Sequence, residues 1–227
     1  MRVLAIDTAT PSASAALVQD GHILAECSAQ GQKNHSELLL QMIDRLFDWS
    51  GSGRTTVDLL AVSTGPGSFT GLRVGISTAQ GMAFALDRPL AGIPTLDVIA
   101  AQSAAGELIS PMIDARKLQV YAALYRSRGR DVMQVRPPAV LAPESWVQNL
   151  PGPAVLIGTG ASVYRAGIEA AAAERGCIIA REHLGIPRAA TVAALASERY
   201  PGCAGGPELV AALYVRPPDA ILPQDRA

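Results

Sequence analysis

The chain has 227 residues, 49% of them hydrophobic and 17% charged, which excludes a disordered chain and allows one large domain or two compact lobes. Aromatic residues are only 4%, so aliphatic side chains must carry the core. A net charge of −1 excludes bulk electrostatic attraction to nucleic acid or to an acidic membrane.

The first apolar run, residues 3–6, reads as a buried strand ending at Asp7 and the turn-prone Thr8-Ala9-Thr10-Pro11. Residues 12–18 read as a second strand, the Gln19-Asp20-Gly21-His22 stretch as a hairpin turn, and residues 22–29 as the returning strand. Asn34 followed three residues later by Glu37 is a helix start, and the apolar-rich stretch after it predicts a helix to about residue 49. A buried strand at 58–63 runs into Gly65-Pro66-Gly67, which predicts a turn and then a helix over 72–86, capped by Ser68 or Thr70. A strand at 89–93 and a helix at 95–105 complete this half.

The second half follows the same plan. It predicts strands at 109–114, 118–125 and 132–135, a short helix at 143–150, a strand at 154–157, a turn at 158–160 into a helix to about 175, and a helix at 191–200. At an offset of 107 residues, Ile6-Asp7 falls on Ile113-Asp114 and Ala15-Ala16-Leu17 on Ala122-Ala123-Leu124. These identities with the same element order predict a duplicated α/β architecture, that of the actin-like ATPases, with a cleft between lobes at 1–105 and 106–227. The tail from Tyr214, with Pro217 and Pro218, is expected to run extended over the surface.

No ~18-residue apolar run suited to a spanning helix occurs, and Asp7 follows only four apolar residues, too few for a signal peptide. Cys27, Cys177 and Cys203 are odd in number and lack CxxC spacing, which fits reduced thiols and a cytoplasmic chain.

The chemistry expected of an actin-like ATPase is incomplete. Such a protein holds phosphates on tight, glycine-bearing turns, whereas the two turns here read Asp7-Thr8-Ala9-Thr10 and Asp114-Ala115-Arg116-Lys117. Asp7 could hold Mg²⁺ through water or could be a polar strand end in a cleft, and the turn Gly158-Thr159-Gly160 suits an adenosine site or an ordinary strand-to-helix turn. His22, His35 and His183 have no i, i+4 pairing, since Leu39 stands four residues after His35, so no metal site is expected. The run from Arg116 to Arg136 holds six basic side chains and one acid, a solvated hairpin or an RNA-facing patch.

Two helices carry a different signal. Gly71, Gly75, Ala79 and Ala83 recur every four residues, a smooth ridge suited to close approach by the preceding helix or by a partner's helix. In the preceding helix, Leu38, Leu39, Leu40, Met42, Ile43, Leu46, Phe47 and Trp49 spread beyond a one-sided stripe, which predicts burial on two sides. A bulky residue at Gly75 is therefore expected to leave the lobe folded and to block assembly.

Several segments in order resemble one family. They are IDTAT at 6–10, HSELLLQMI at 35–43, GPGSFTGLRVGISTAQGMAF at 65–84, IDARKLQVYAALY at 113–125 and YVRPP at 214–218. These resemble the TsaB (YeaZ) family of tRNA threonylcarbamoyladenosine biosynthesis. The resemblance implies an actin-like (ASKHA, RNase H-like) two-lobe fold with no catalytic residues, metal or cofactor of its own. It implies a non-catalytic subunit that binds and activates TsaD, which transfers the threonylcarbamoyl group to N6 of the adenosine next to the anticodon. TsaE, an ATPase, joins them; tRNA is met through the complex, and nucleotide is possible at the joint with TsaD. TsaD carries a histidine-x-x-x-histidine metal motif that is reduced here to His35 followed by Leu39. The implied interface comprises His35, Glu37, Leu38 and Met42 with Leu72, Gly75, Ile76, Ala79 and Met82, pairing the chain with TsaD or, when alone, with a second copy. The competing expectation is a self-sufficient actin-like ATPase or small-molecule kinase; a metallopeptidase and a pure RNA-binding module have weaker support in the residues.

Overall fold

A computed structural model describes residues 1–31, 35–103, 107–129, 131–202 and 204–216. Strands β1 (Arg2–Asp7), β2 (Ser12–Gln19) and β3 (His22–Gln30) form an antiparallel meander. Its β2–β3 turn places Asp20 and Gly21 at φ 49° and 80°, the left-handed pair that a two-residue hairpin needs. Then come α1 (His35–Ser50), β4 (Leu59–Gly65), α2 (Phe69–Leu86), β5 (Leu90–Pro94) and α3 (Thr95–Ala101). The expected cap Asn34 lies outside the described residues. At α2 the cap is Ser68, whose Oγ accepts from Gly71 N–H.

The second half repeats the sequence of elements. Strands β6 (Leu108–Asp114), β7 (Val120–Arg128) and β8 (Asp131–Leu141) form a second meander, followed by α4 (Pro143–Gln148) and β9 (Val155–Ile157). The single helix expected from the 158–160 turn to about 175 is two, α5 (Thr159–Val163) and α6 (Arg165–Glu174), broken at Tyr164. A short strand missed by sequence patterning, β10 (Ile178–Ile179), precedes α7 (Ala189–Arg199) and β11 (Ala204–Gly205). Two residues are too few to show a period.

The first sheet runs β11-β5-β4-β1-β2-β3 and the second β10-β9-β6-β7-β8. In both, the first strand pairs antiparallel to its meander partner and parallel to the strand that follows the helix. Central strands bury both faces. Leu4, Ile6, Leu60 and Val62 point to the side of α1 and α2, while Val3, Ala5, Leu59 and Ala61 point to the side of α7. This explains why 3–6 and 59–62 read as continuous apolar runs.

The helices do not respect the sequence division. Ala189, Val192, Ala193 and Ala196 of α7 cover the first sheet, and β11 pairs with β5 of that sheet. Conversely, Leu96, Ile99 and Ala100 of α3 pack with Ile109, Ile113 and Tyr125 of the second sheet. The expected lobes 1–105 and 106–227 are therefore corrected. Apart from β11 the strands follow the division, but the helices do not: α7 of the second half covers the first sheet, and α3 lies between the sheets, with Val98 in the first sheet's cluster and Leu96, Ile99 and Ala100 in the second's. The expected boundary at 104–106 lies outside the described residues. Asp97 of α3 ties the halves together, accepting from Tyr125 O–H at 2.6 Å and from Arg199 at 2.8 Å.

Candidate functional site

Two places were singled out by the sequence: the cleft between the sheets and the pair α1–α2. The cleft has a volume of about 970 Å³ and is lined from both halves, by the 9–11 turn, the start of α2, the 113–116 turn, α5 and the C-terminal segment. On the first side the turn after β1 is covered by α2. Ser68 N–H donates to Ala9 O at 2.7 Å, and Thr8 Oγ1 donates to Gly71 O at 2.7 Å. A Cβ on Gly67 would lie 2.1 Å from Ala9 O. The glycines of this segment thus serve close approach to the turn, and the Ser68 amide that a helix start could offer an anion is already used.

Asp7 is fully buried behind this contact. Its Oδ1 accepts from Ala9 N–H at 3.3 Å, while Oδ2 and the neighbouring Ser63 Oγ lack hydrogen-bond partners. Ser63 stands close enough to ease the charge without hydrogen-bond geometry, and burial pushes the carboxyl up to about 6. Among the described residues no three His, Cys, Asp or Glu side chains gather as metal ligands.

On the second side, Arg116, Lys117 and Leu118 all take positive φ (61°, 51°, 57°), a left-handed run without glycine. Arg116 N–H donates to Asp114 Oδ1, and Ala115 and Gln119 close the turn on each other and on Arg116 O. Gly158 and Gly160 serve packing: a Cβ on either would meet Met112 backbone within 3.0 Å. The basic run expected at 116–136 divides. Arg116 is at the cleft, whereas Arg126 pairs with Glu107 at the far end of β7, and Arg136 donates to Asn149 O. Arg130 lies outside the described residues.

The helix pair differs from expectation in detail. Along α1, Leu39, Met42, Ile43, Leu46 and Phe47 are buried and Glu37, Gln41, Asp44, Arg45 and Asp48 are exposed, a one-sided stripe. Only Leu38, half-buried, and Leu40 and Trp49, 55% and 63% exposed, extend the apolar surface outward. The Gly71-Gly75-Ala79-Ala83 ridge faces the chain's own core rather than solvent, and at Gly71 and Gly75 it meets the turn after β1. A Cβ on Gly75 would lie 2.3 Å from Thr8 Oγ1, and Ala79 and Ala83 are wholly buried. Of the nine residues expected at an interface, Met42, Leu72, Gly75, Ile76 and Ala79 are therefore core, and Glu37, Leu38 and Met82 reach the surface. His35 opens α1, and its side chain lies outside the described features.

Sequence reading missed the opposite face of α2. Val74, Ser77, Thr78, Gly81 and Ala85 are small, lie at helical spacing, and are exposed or half-buried. A Cβ on Gly81 would meet nothing within 4 Å. The signal was present: Gly81 weakens a helix by about 1 kcal/mol relative to alanine, and no internal contact explains it.

A family model described as TsaD, tRNA N6-adenosine threonylcarbamoyltransferase, matches residues 22–202. The tRNA threonylcarbamoyladenosine biosynthesis protein TsaB of Bacillus subtilis is 31% identical over 204 residues, 88% of this chain and 88% of that protein. The TsaB of Escherichia coli is 37% identical over 70% of this chain and 72% of its own length. The chain belongs to the TsaB family. The structure of YeaZ from Pseudomonas aeruginosa superposes with a TM-score of 0.78 at 30% identity, covering 94% of this chain and 99% of that one. Component A of (R)-2-hydroxyglutaryl-CoA dehydratase from Acidaminococcus fermentans, 8% identical with a TM-score of 0.51, shares the fold alone. This TsaB-family chain thus has the actin-like fold expected from its duplicated element order, and among its described residues no helix is long and apolar enough to cross a membrane.

Proposed function

We propose that this chain is the non-catalytic subunit that binds and activates a TsaD-type transferase in the cytoplasm. The reaction it supports is transfer of a threonylcarbamoyl group to N6 of the adenosine next to the anticodon. Membership of the TsaB family supports the pathway, and the outward face of α1 and α2 supports the role. The observation that carries the proposal is that face: Leu40, Gly81 and Ala85 are exposed, and Leu38, Val74 and Met82, packed against the core on one side, add their half-exposed apolar surface beside them. A smooth helix surface of this kind suits a second helix at short distance. TsaE is the further partner in this reading, tRNA reaches the chain through the complex, and a nucleotide at the joint with the transferase belongs to the partner's chemistry. Alone, the same face pairs with a second copy.

The covered turn at 8–10 weighs against a self-sufficient ATPase or kinase, since Ala9 spends its N–H on Asp7 and its carbonyl on Ser68, and the Thr8 hydroxyl is held by Gly71 O. Gly81→Leu tests the proposal. The variant should fold and melt like the unaltered chain but fail to co-purify with the transferase. Retained co-purification at unaltered stoichiometry would remove this face from the assembly.

A further inference from the structure

The cleft mouth has chemistry of its own that a covered phosphate turn does not explain. Phe69, at the start of α2, and Tyr214, in the C-terminal segment, are each 45% exposed, their ring centroids 5.5 Å apart and tilted by 40°. The Arg73 guanidinium lies 3.7 Å from the Phe69 centroid. Arg216 crosses to the second half, donating to Ala115 O at 2.9 Å and to Gln119 Oε1, with its guanidinium 6.0 Å from the Tyr121 ring. Arg116 stands exposed on the opposite rim, held there by the left-handed turn 116–118. Such backbone strain in a non-glycine run is uncommon away from functional sites.

Aromatic faces alternating with guanidinium groups along an open groove are what a single-stranded nucleic acid needs. The rings accept stacked bases of any sequence, and the arginines meet the phosphates between them. Two acids, Asp114 and Glu182, also line the cleft. The Asp114 carboxylate is engaged by Tyr164 O–H and by Arg116 N–H, and its Oδ2 lies 3.4 Å from the Arg116 guanidinium, whose side chain is 81% exposed and keeps its outer edge open to a phosphate. The net charge of −1 gives the whole chain no general affinity for RNA, so recognition has to be local.

We propose that this mouth binds a single-stranded stretch of the tRNA substrate, with a base against Tyr214, backed by Phe69, and phosphates on Arg73 and Arg116. The inference rests on the proposed function, and deepens it by giving this chain a direct tRNA contact.

The test uses the assembled complex of this chain with its transferase and an unmodified tRNA transcript, with affinity read by fluorescence anisotropy at several salt concentrations. Tyr214→Ala should weaken binding about ten-fold and Tyr214→Phe should restore it, as a lost stacking platform requires. Arg116→Glu should weaken binding and make the salt dependence shallower by about one phosphate. Both variant complexes should elute from size exclusion like the unaltered one. Unchanged affinity in both variants of an active complex overturns the inference and leaves the proposed function standing. So does loss of assembly at unchanged tRNA affinity, which makes the mouth a protein-docking surface. An unaltered complex that neither binds nor modifies tRNA overturns the proposed function, and the inference with it.

Discussion

Asp7 ends the first strand with one carboxylate oxygen unpartnered and its side chain wholly buried, and this sets a measurable pH dependence. Its folded-state value of about 6 exceeds the ordinary 3.8, with burial as the largest cause. The folded state therefore binds more protons at Asp7 than the unfolded state between those values, so its contribution to stability is fully present below about pH 4 and is lost as pH rises through about 6. The full loss is on the order of 3 kcal/mol. Asp7→Asn keeps an oxygen for Ala9 N–H, offers an amide to Ser63 Oγ and carries no charge. Urea melts should show the variant more stable than the parent at pH 8 and nearly equal to it at pH 4; an equal difference at both values would contradict burial as the cause. The sequence marked Asp7 as a polar strand end in a cleft. It could not show that Thr8 and Ala9 are closed by Gly71 and Ser68, because those partners lie about 60 positions along the chain and nothing in local spacing joins them.

At the scale of the element, α2 shows how far periodicity reaches. Spacing made the Gly71-Gly75-Ala79-Ala83 ridge legible but did not say which neighbour it meets. The ridge seats the helix on the turn after β1 through Thr8, and the outward face with Gly81 is open, the face assigned to a partner in the proposed function. Gly75→Leu should therefore destabilise the isolated chain by about 1–3 kcal/mol through overpacking, seen as a lower melting temperature. An unchanged melting temperature with lost partner binding would return the ridge to the interface. In α1 the breadth of the apolar pattern misled for a related reason. Leu40 and Trp49 widen the stripe in sequence, yet burial stops at Leu39, Met42, Ile43, Leu46 and Phe47. A count of apolar positions does not separate a wider core face from exposed apolar residues.

For the whole molecule, the element order and the 107-residue offset were enough to read two sheets of one topology, and the structure carries both. The placement of α3 and α7 against the sheets was not legible. Both helices have an apolar face, and the sequence does not record which sheet that face covers. The placement of these helices, with Asp97 bound by Tyr125 and Arg199, packs the two halves into one body. In the function proposed above, the chain's contribution lies in what it holds and positions for its partner, with the chemistry carried by the transferase. The most direct measurement is transfer of threonylcarbamoyl from its adenylate to unmodified tRNA by a TsaD-family transferase, with and without this chain at one-to-one stoichiometry. Transfer should depend on the chain and be lost with Gly81→Leu; transfer at the same rate without the chain would contradict the account.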